Sequence, residues 1–389
     1  MPSAFQLACQ PIPTVRIALI GLGQRGMKTL QRYAFIQGAE FRYVADLCSK
    51  RTNEANKVLV GSGRSKAQEL VGKEAWKEAC QKEDVDLVYI CTEWNSHTMM
   101  AVEAMLCGKH VAVEVPAATN VSDCWKLVRT AEKTQRHCFM TENCCYDFFA
   151  LGTLEMNRLG LLGEITHCEG AYIHNLASYG NNGQFSSETH RNWMESSCSM
   201  HGGNPYPTHA IGPIAQLLGF HRSDRMLSIT SLTARGVAGK QGLTGRVNTS
   251  LIQTENGVSI MLQLDVSTPR PYSRLQTVCG SMGYVQKYPL PTIQYEGREA
   301  YIGDEALKEI HKYATSEQAQ LWNEGYRCGV DNEMNYAMDA RLIYCLRHGL
   351  PLDIDVYDAA EWSCLAELSQ RSARLGGMPV AIPDFLSGK

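Results

Sequence analysis

The feature that most constrains the fold is six residues long. Gly21-Leu-Gly-Gln-Arg-Gly26 follows the apolar run Val15–Ile20 and opens a helical pattern that reaches about Ile36. A G-x-G-x-x-G run between strand and helix meets three needs. The first glycine makes a tight turn, the second lets the backbone approach a pyrophosphate, and the third allows close helix–strand packing. The N–H groups of the first helical turn then face phosphate charge. An acid, Asp46, stands twenty residues past the last glycine, at the end of the next apolar run, Phe41–Asp46. A carboxylate there bonds the adenosine ribose hydroxyls and repels a 2′-phosphate, so the expected cofactor is NAD. A glycine-rich turn that binds nothing is the weaker reading.

The alternation continues through Asp86–Cys91, His110–Glu114 and His137–Thr141, with amphipathic stretches between them. Each run is apolar almost throughout, as strands are when helices cover both faces of a parallel sheet. The expectation is an α/β chain whose residues 13–143 form a doubly wound NAD-binding domain. Ligands in such sheets lie beyond the carboxyl ends of the strands. Thr92–His97, Glu114-Val-Pro116 and Glu142-Asn143 should therefore touch the cofactor, although His97 has a plainer reading as a helix cap. After Asn143 the rhythm changes to β signals: Ile165–Asn175, Met226–Thr233, Thr249–Thr254, Ser259–Asp265 and Leu275–Cys279. Asn256-Gly257 reads as a hairpin turn between two of them. The loop from Ser178 to Asn204 is too long for a plain connector. Helical patterns return at Asp331–Arg347 and Val356–Ala373. Residues 144–389 are thus expected to form a second, α+β domain for substrate and catalysis, its last helices being candidates for packing back on the first.

Charge and cysteine content remove several classes. With 37 basic and 40 acidic side chains the net charge is −3, so no nucleic-acid partner is expected. No apolar run approaches the ~18 residues of a membrane span, and no membrane partner is expected. Met1–Pro13 lacks the pattern of a signal peptide, which favours the cytoplasm, unless an export signal has been lost from this chain. The 15 cysteines are scattered without a CxxC pair, and read as reduced, mostly buried apolar residues. No Cys/His set has zinc-ligand spacing, so no metal is expected.

Gly21–Gly26, the Thr92–His97 loop with Ala101-Val-Glu-Ala104, Gly108-Lys-His-Val111 and Glu114-Val-Pro116 resemble the Gfo/Idh/MocA oxidoreductases. Most members of that superfamily carry Glu-Lys-Pro at the last motif, and their lysine assists proton removal from the alcohol being oxidised. Val115 stands at that position and cannot take a proton. A narrower resemblance carries the same valine: glycoside hydrolase family 109, the NAD-dependent α-N-acetylgalactosaminidases. It extends along nearly the whole chain through Glu142-Asn-Cys-Cys-Tyr146, Gly163-Glu164, Gly170-Ala-Tyr-Ile-His174, Gly203-Asn-Pro-Tyr-Pro-Thr-His209, Arg270-Pro-Tyr272, Pro351-Leu-Asp353, Val356-Tyr-Asp-Ala359 and Ile382-Pro-Asp-Phe385.

This resemblance implies an NAD-binding domain followed by one with an open, mainly antiparallel sheet. It also implies a reaction in which C3 of a sugar is oxidised, the anomeric group is eliminated, water adds and the hydride returns. Implied cofactor contacts fall on Gln24, Arg25, Asp46, Trp94, Asn95, Ser96, His97, Glu114, Val115, Asn143 and Tyr206, beside Gly21, Gly23 and Gly26. Implied substrate contacts fall on Tyr172, Arg191, Tyr206, Pro207, Thr208, His209 and Tyr272, the substrate being a small glycoside or sugar. His209, near neutrality by ordinary pKa, would be the base, and Tyr172 and Tyr206 would shuttle protons. Each has a plainer reading: His209 as a helix cap, Tyr172 as strand packing, Arg191 as a solvated loop charge, Tyr272 as a rigid turn. Two other functions remain open, an NAD-dependent sugar or polyol dehydrogenase and a silent nucleotide or sugar sensor. A homo-oligomer, dimer or tetramer, is expected, with Ile260, Leu262 and Leu264 offered on one face of Ser259–Asp265.

Overall fold

The computed structural model describes residues 2–175, 194, 197–198, 200–234, 247–295 and 297–388. The chain forms two compact units, Met1–Asn143 with Leu321–Ala360, and Cys144–Gln320 with Glu361–Lys389.

The first unit contains β1 (Val15–Ile20), β2 (Ala39–Asp46), β3 (Gln68–Val71), β4 (Leu87–Ile90), β5 (His110–Val113) and β6 (Cys138–Met140), paired in the order β3-β2-β1-β4-β5-β6. Every pairing is parallel. The connecting helices are α1 (Gln24–Tyr33), α2 (Ser49–Gly61), α3 (Ala75–Gln81), α4 (Trp94–Leu106) and α5 (Val121–Thr134). The doubly wound fold is the expected one: β4 and β5 are buried at every residue, as strands sandwiched between helices must be. β3 escapes sequence reading because Gln68 and Glu69 interrupt its four residues at the sheet edge. Strand order reverses beside β1, and that switch point is where such sheets open a crevice.

In the second unit α6 (Phe148–Arg158) starts at Asp147, whose carboxylate accepts the amides of Phe149 and Ala150. Then come β7 (Ile165–Ile173), α7 (Thr208–Leu218), β8 (Met226–Thr233), β9 (Asn248–Thr254), β10 (Ser259–Asp265), β11 (Ser273–Gly280), β12 (Gly283–Gln286), β13 (Thr292–Tyr295), β14 (Tyr301–Ile302) and α8 (Asp304–His311). After α9 (Glu317–Cys328) the chain supplies α10 (Glu333–His348) to the first unit, followed by α11 (Val356–Arg374) and β15 (Val380–Ala381). The sheet of this unit is open, in the order β14-β13-β12-β11-β7-β10-β9-β8-β15, and antiparallel except between β7 and β10. Asn256-Gly257 turns β9 into β10, with Gly257 at φ +86°.

Gly170 fixes where α7 lies. A Cβ on it would sit 2.4 Å from the carbonyl oxygen of Ala210, so the helix backbone rests on β7 where a side chain is missing. Register places Gly170 opposite Leu262, with Ile260 and Leu264 on the same face, and all three are at most 1% exposed. Those residues therefore pack inside their own unit and offer no association surface. The alternation was legible, but not which side of the sheet the helix covers. Among the described residues no helix is long and apolar enough to cross a membrane, and no cysteine is disulfide-bonded.

Candidate functional site

In the first unit the glycine turn is built by close contacts. Gly21 has φ +87°, and a Cβ there would meet the Cys91 carbonyl oxygen at 2.6 Å. A Cβ on Gly26 would lie 2.0 Å from the Gly21 carbonyl oxygen. Both positions admit only glycine, and they draw the ends of β1 and β4 against the start of α1. Gly23 is the N-cap of α1 and no side chain caps the helix, so its first-turn amides are left for an anion. Gln24 stands exposed beside them. Asp46 accepts the Leu22 amide at 2.8 Å and the Cys48 amide at 2.9 Å, with the Arg51 guanidinium 3.7 Å away. A carboxylate has about four acceptor positions, so the turn leaves capacity for ribose hydroxyls. These features fit a dinucleotide.

The two loops beyond β4 and β5 are tied together by His97. It is fully buried, with Nδ1 2.8 Å from the Pro116 carbonyl oxygen and Nε2 3.1 Å from that of Thr92. Burial holds its pKa below the ordinary value. Both ring nitrogens meet backbone carbonyls, so His97 braces the two loops together. Trp94 is buried at the start of α4, Asn95 is exposed, and the Ser96 hydroxyl bonds Thr92 Oγ1 and the Glu93 carbonyl oxygen at 2.7 Å. Val115 is buried and brings no proton-transfer group.

Sequence reasoning missed the residue on which several candidates converge. Arg25 donates through Nε to Glu114 at 2.8 Å and through Nη2 to Asn335 Oδ1 at 3.0 Å. Asn143 donates to that same Asn335 oxygen at 3.0 Å. Asn335 lies in the first turn of α10, where its own amide bonds the N-cap side chain of Asn332. α10 is further locked by the buried pair Arg32–Asp339, 2.7 Å apart, with Tyr89 donating to the second carboxylate oxygen at 2.9 Å. Nearly two hundred residues separate Asn143 from Asn335, and no local pattern announces the pairing.

In the second unit Tyr172, Tyr206, His209 and Tyr272 come together. Pro207 is the N-cap of α7 and Thr208 its buried first residue, with no side-chain cap, so His209 is not spent on capping. Its ring meets Tyr206 edge-on at 4.7 Å and lies 5.7 Å from Tyr172. Tyr172 and Tyr206 are themselves 4.9 Å apart, and the Tyr172 hydroxyl is 3.1 Å from His174 Nδ1. Burial, with Arg274 and His209 nearby, keeps His174 below its ordinary pKa. Tyr272, half-exposed, receives a hydrogen bond from Arg274 Nε at 2.6 Å. Arg191 lies outside the described residues. Cys144, His174 and Arg274 belong to the cluster without having been singled out. Arg274 sits 5.2 Å over the Tyr172 ring and donates to Cys144, a role that a lone strand arginine does not signal.

Comparison with known proteins follows the two units. Residues 15–142 match the model described as oxidoreductase family, NAD-binding Rossmann fold, and residues 146–389 match that for the C-terminal domain of glycosyl hydrolase 109. An α-N-acetylgalactosaminidase of Bacteroides fragilis is 50% identical, across 98% of this chain and 94% of its own. A glycosyl hydrolase family 109 protein of Phocaeicola vulgatus is 47% identical, across 100% and 98%. Among solved structures, a levoglucosan dehydrogenase with NADH superimposes with TM-score 0.73 at 14% identity, covering 95% of this chain and all of that one. The WlbA dehydrogenase of Bordetella pertussis with NADH and UDP-GlcNAcA gives 0.71 at 15%, covering 97% and 100%.

Proposed function

Since the chain belongs to glycoside hydrolase family 109 and carries an NAD-binding domain, we propose that it cleaves a terminal α-linked N-acetylgalactosamine-type sugar. Bound NAD supplies a temporary hydride acceptor for C3 of the sugar, which turns glycoside cleavage into elimination, water addition and return of the hydride. The observation that carries the reading is His209, buried in the first turn of α7 with two tyrosines against its ring. His209 takes the proton of the C3 hydroxyl. Tyr172 and Tyr206 relay protons near C2 and the leaving oxygen. In the first unit the amides after Gly23 hold phosphate, and Asp46 holds the ribose. No pair of glycosidase carboxylates is required by such a route. The free cysteines suit a reducing compartment, the cytoplasm.

A panel of aryl α- and β-glycosides, assayed with and without added NAD⁺, tests the proposal. Release of the aryl group from the α-N-acetylgalactosaminide without net NADH is expected. Net NADH from a free sugar would replace this reading with that of a dehydrogenase. His209→Ala should lower turnover by roughly 10²–10⁴ while NAD binding persists, because the base is lost and the dinucleotide contacts are not. Exchange of the C2 proton with solvent deuterium should vanish with it. Cleavage at the wild-type rate would remove His209 from the role.

A further inference from the structure

A buried thiol ordinarily stays neutral. Burial is the largest cause that pushes Cys80, Cys138 and Cys168 up to about 12, and for Cys138 it acts alone. Cys144 is also buried, yet its surroundings differ. Arg274 Nη1 lies 2.6 Å from its sulfur, and His209 Nδ1 lies 3.4 Å from it. Lysine, arginine or imidazolium beside a thiol is the arrangement that stabilises a thiolate. The strand is bent to deliver that arginine. Leu275 and Gln276, directly after Arg274, have φ of 55° and 56°, and the register of β11 against β7 shifts on both sides of Leu275. Left-handed backbone costs about 1–2 kcal/mol at each such residue, and bulges that re-aim a side chain gather at functional sites.

The protonation of Cys144 decides what His209 can do. A neutral thiol donates to Nδ1, which places the ring proton on Nε2 and makes that nitrogen a donor. A thiolate accepts from Nδ1–H and leaves the basic lone pair at Nε2. We propose that Cys144 is a positioning residue for His209: held as a thiolate by Arg274, it accepts the Nδ1 proton, presents Nε2 as the base for the sugar C3 hydroxyl, and stabilises the imidazolium formed when that proton arrives. This is the part a carboxylate plays behind histidine in hydrolase triads. The proton moves from hydroxyl oxygen to Nε2 and back, and sulfur forms no covalent bond. The inference rests on His209 being the base of the reaction proposed above.

Other charged and titratable groups lie around the thiolate. Lys287, 2.5 Å from Asp147, adds a paired positive charge; burial pulls its pKa down, but Asp147 more than reverses this. Tyr272 and Tyr288 are raised, first by burial, with the Cys144 charge adding to it. Both phenols are therefore neutral near pH 7. Tyr172, Tyr206 and His174 stand on the imidazole side. Glu142, two residues earlier in the chain, brings a buried carboxylate oxygen within 4.8 Å of the Cys144 sulfur, and its negative charge opposes the thiolate.

The test reads the pair directly, on the NAD-loaded protein. Nitrogen-15 shifts of histidine-labelled protein, with His209 assigned by a His209→Gln difference, should show the Nδ1–H tautomer. Ultraviolet thiolate absorbance that is absent from Cys144→Ser should persist below the ~8.5 of a free cysteine and move toward or past that value in Arg274→Gln. Cys144→Ala and Cys144→Ser should lose the tautomer and about 10- to 100-fold in kcat with KM little changed, as when a group acts through the base. Cys144→Asp should restore the tautomer and part of kcat, which a packing role would not do. Wild-type His209 in the Nε2–H tautomer, or a Cys144 thiol that titrates like its buried neighbours, overturns the proposal even if every variant misfolds. An inactive Cys144→Ala alongside a fully active His209→Ala would instead overturn the base assignment on which it rests.

Discussion

Arg25 shows how a single side chain is held in place by partners far along the chain. It is a cation at the start of α1, where the helix dipole is already positive, and Glu114 and Asn335 offset that by accepting its hydrogen bonds. Asn335 is the hinge of this set, since its one oxygen accepts from both Arg25 and Asn143. Asn335→Ala should loosen Arg25 and Asn143 together. We expect NAD to bind about tenfold more weakly by fluorescence titration, on the order of 1 kcal/mol for two lost hydrogen bonds, with kcat at saturating cofactor within a few fold. Unchanged affinity would mean that Asn335 does not set the arginine. At this scale the sequence was informative where one residue type answers one physical demand. Gly21 and Gly26 are forced by contacts that no Cβ survives, and Asp46 by the turn it accepts. It was silent on Asn335, Arg274 and Cys144, whose meaning lies in partners that folding brings from far along the chain. His97 falls between these cases, since its position beside the cofactor loops was legible but the two carbonyls that claim its ring were not.

An element can be placed by what it lacks. α7 carries His209, and its backbone rests on β7 because Gly170 has no side chain. Gly170→Ala would put a methyl 2.4 Å from the Ala210 carbonyl oxygen, nearer than any real contact, so the helix must ride outward. Such overpacking typically costs about 1–3 kcal/mol. The displacement falls on the element that carries the proposed base, where misplacement by about 1 Å can cost ~10² in rate. The variant should keep its NAD affinity, melt a few degrees lower and lose one to two orders of magnitude in glycoside turnover. Turnover equal to wild type would show that α7 has slack. Strand and helix periodicity was enough to find β1, β2, β4, β10 and the helices near Asp331 and Val356. It found neither β3 nor β12–β15, which are two to four residues long and lack a run of four apolar residues such as marks the equally short β4. The bulge at Leu275 was equally hidden, because neither Leu275 nor Gln276 is a residue that favours left-handed backbone.

For the molecule as a whole, the side of the nine-stranded sheet opposite α7 sets the question of assembly. Ile260, Leu262 and Leu264 are buried on the α7 side, so association through this sheet would use its opposite side. There the register brings Leu251 between Met261 of β10 and Thr230 of β8, and Leu232 beside Thr249 on the same face. Leu251 is 52% and Leu232 63% exposed, which leaves two large apolar side chains bare on a flat, regular surface. An antiparallel sheet may carry one solvated face, but that face is normally polar, and apolar residues gathered on it mark an interface. A closed dimer needs a patch that pairs with itself, and a flat sheet face meets that need through a two-fold axis. We therefore propose a homo-oligomer, dimer or tetramer, built on this face. Light scattering at micromolar concentration should give the mass of two or four chains. Leu232→Asp with Leu251→Asp should move the mass toward one chain while leaving circular dichroism unchanged, since both side chains point away from the core. A wild-type mass of one chain at that concentration would eliminate the assembly, and an unchanged oligomer in the double variant would move it to another surface.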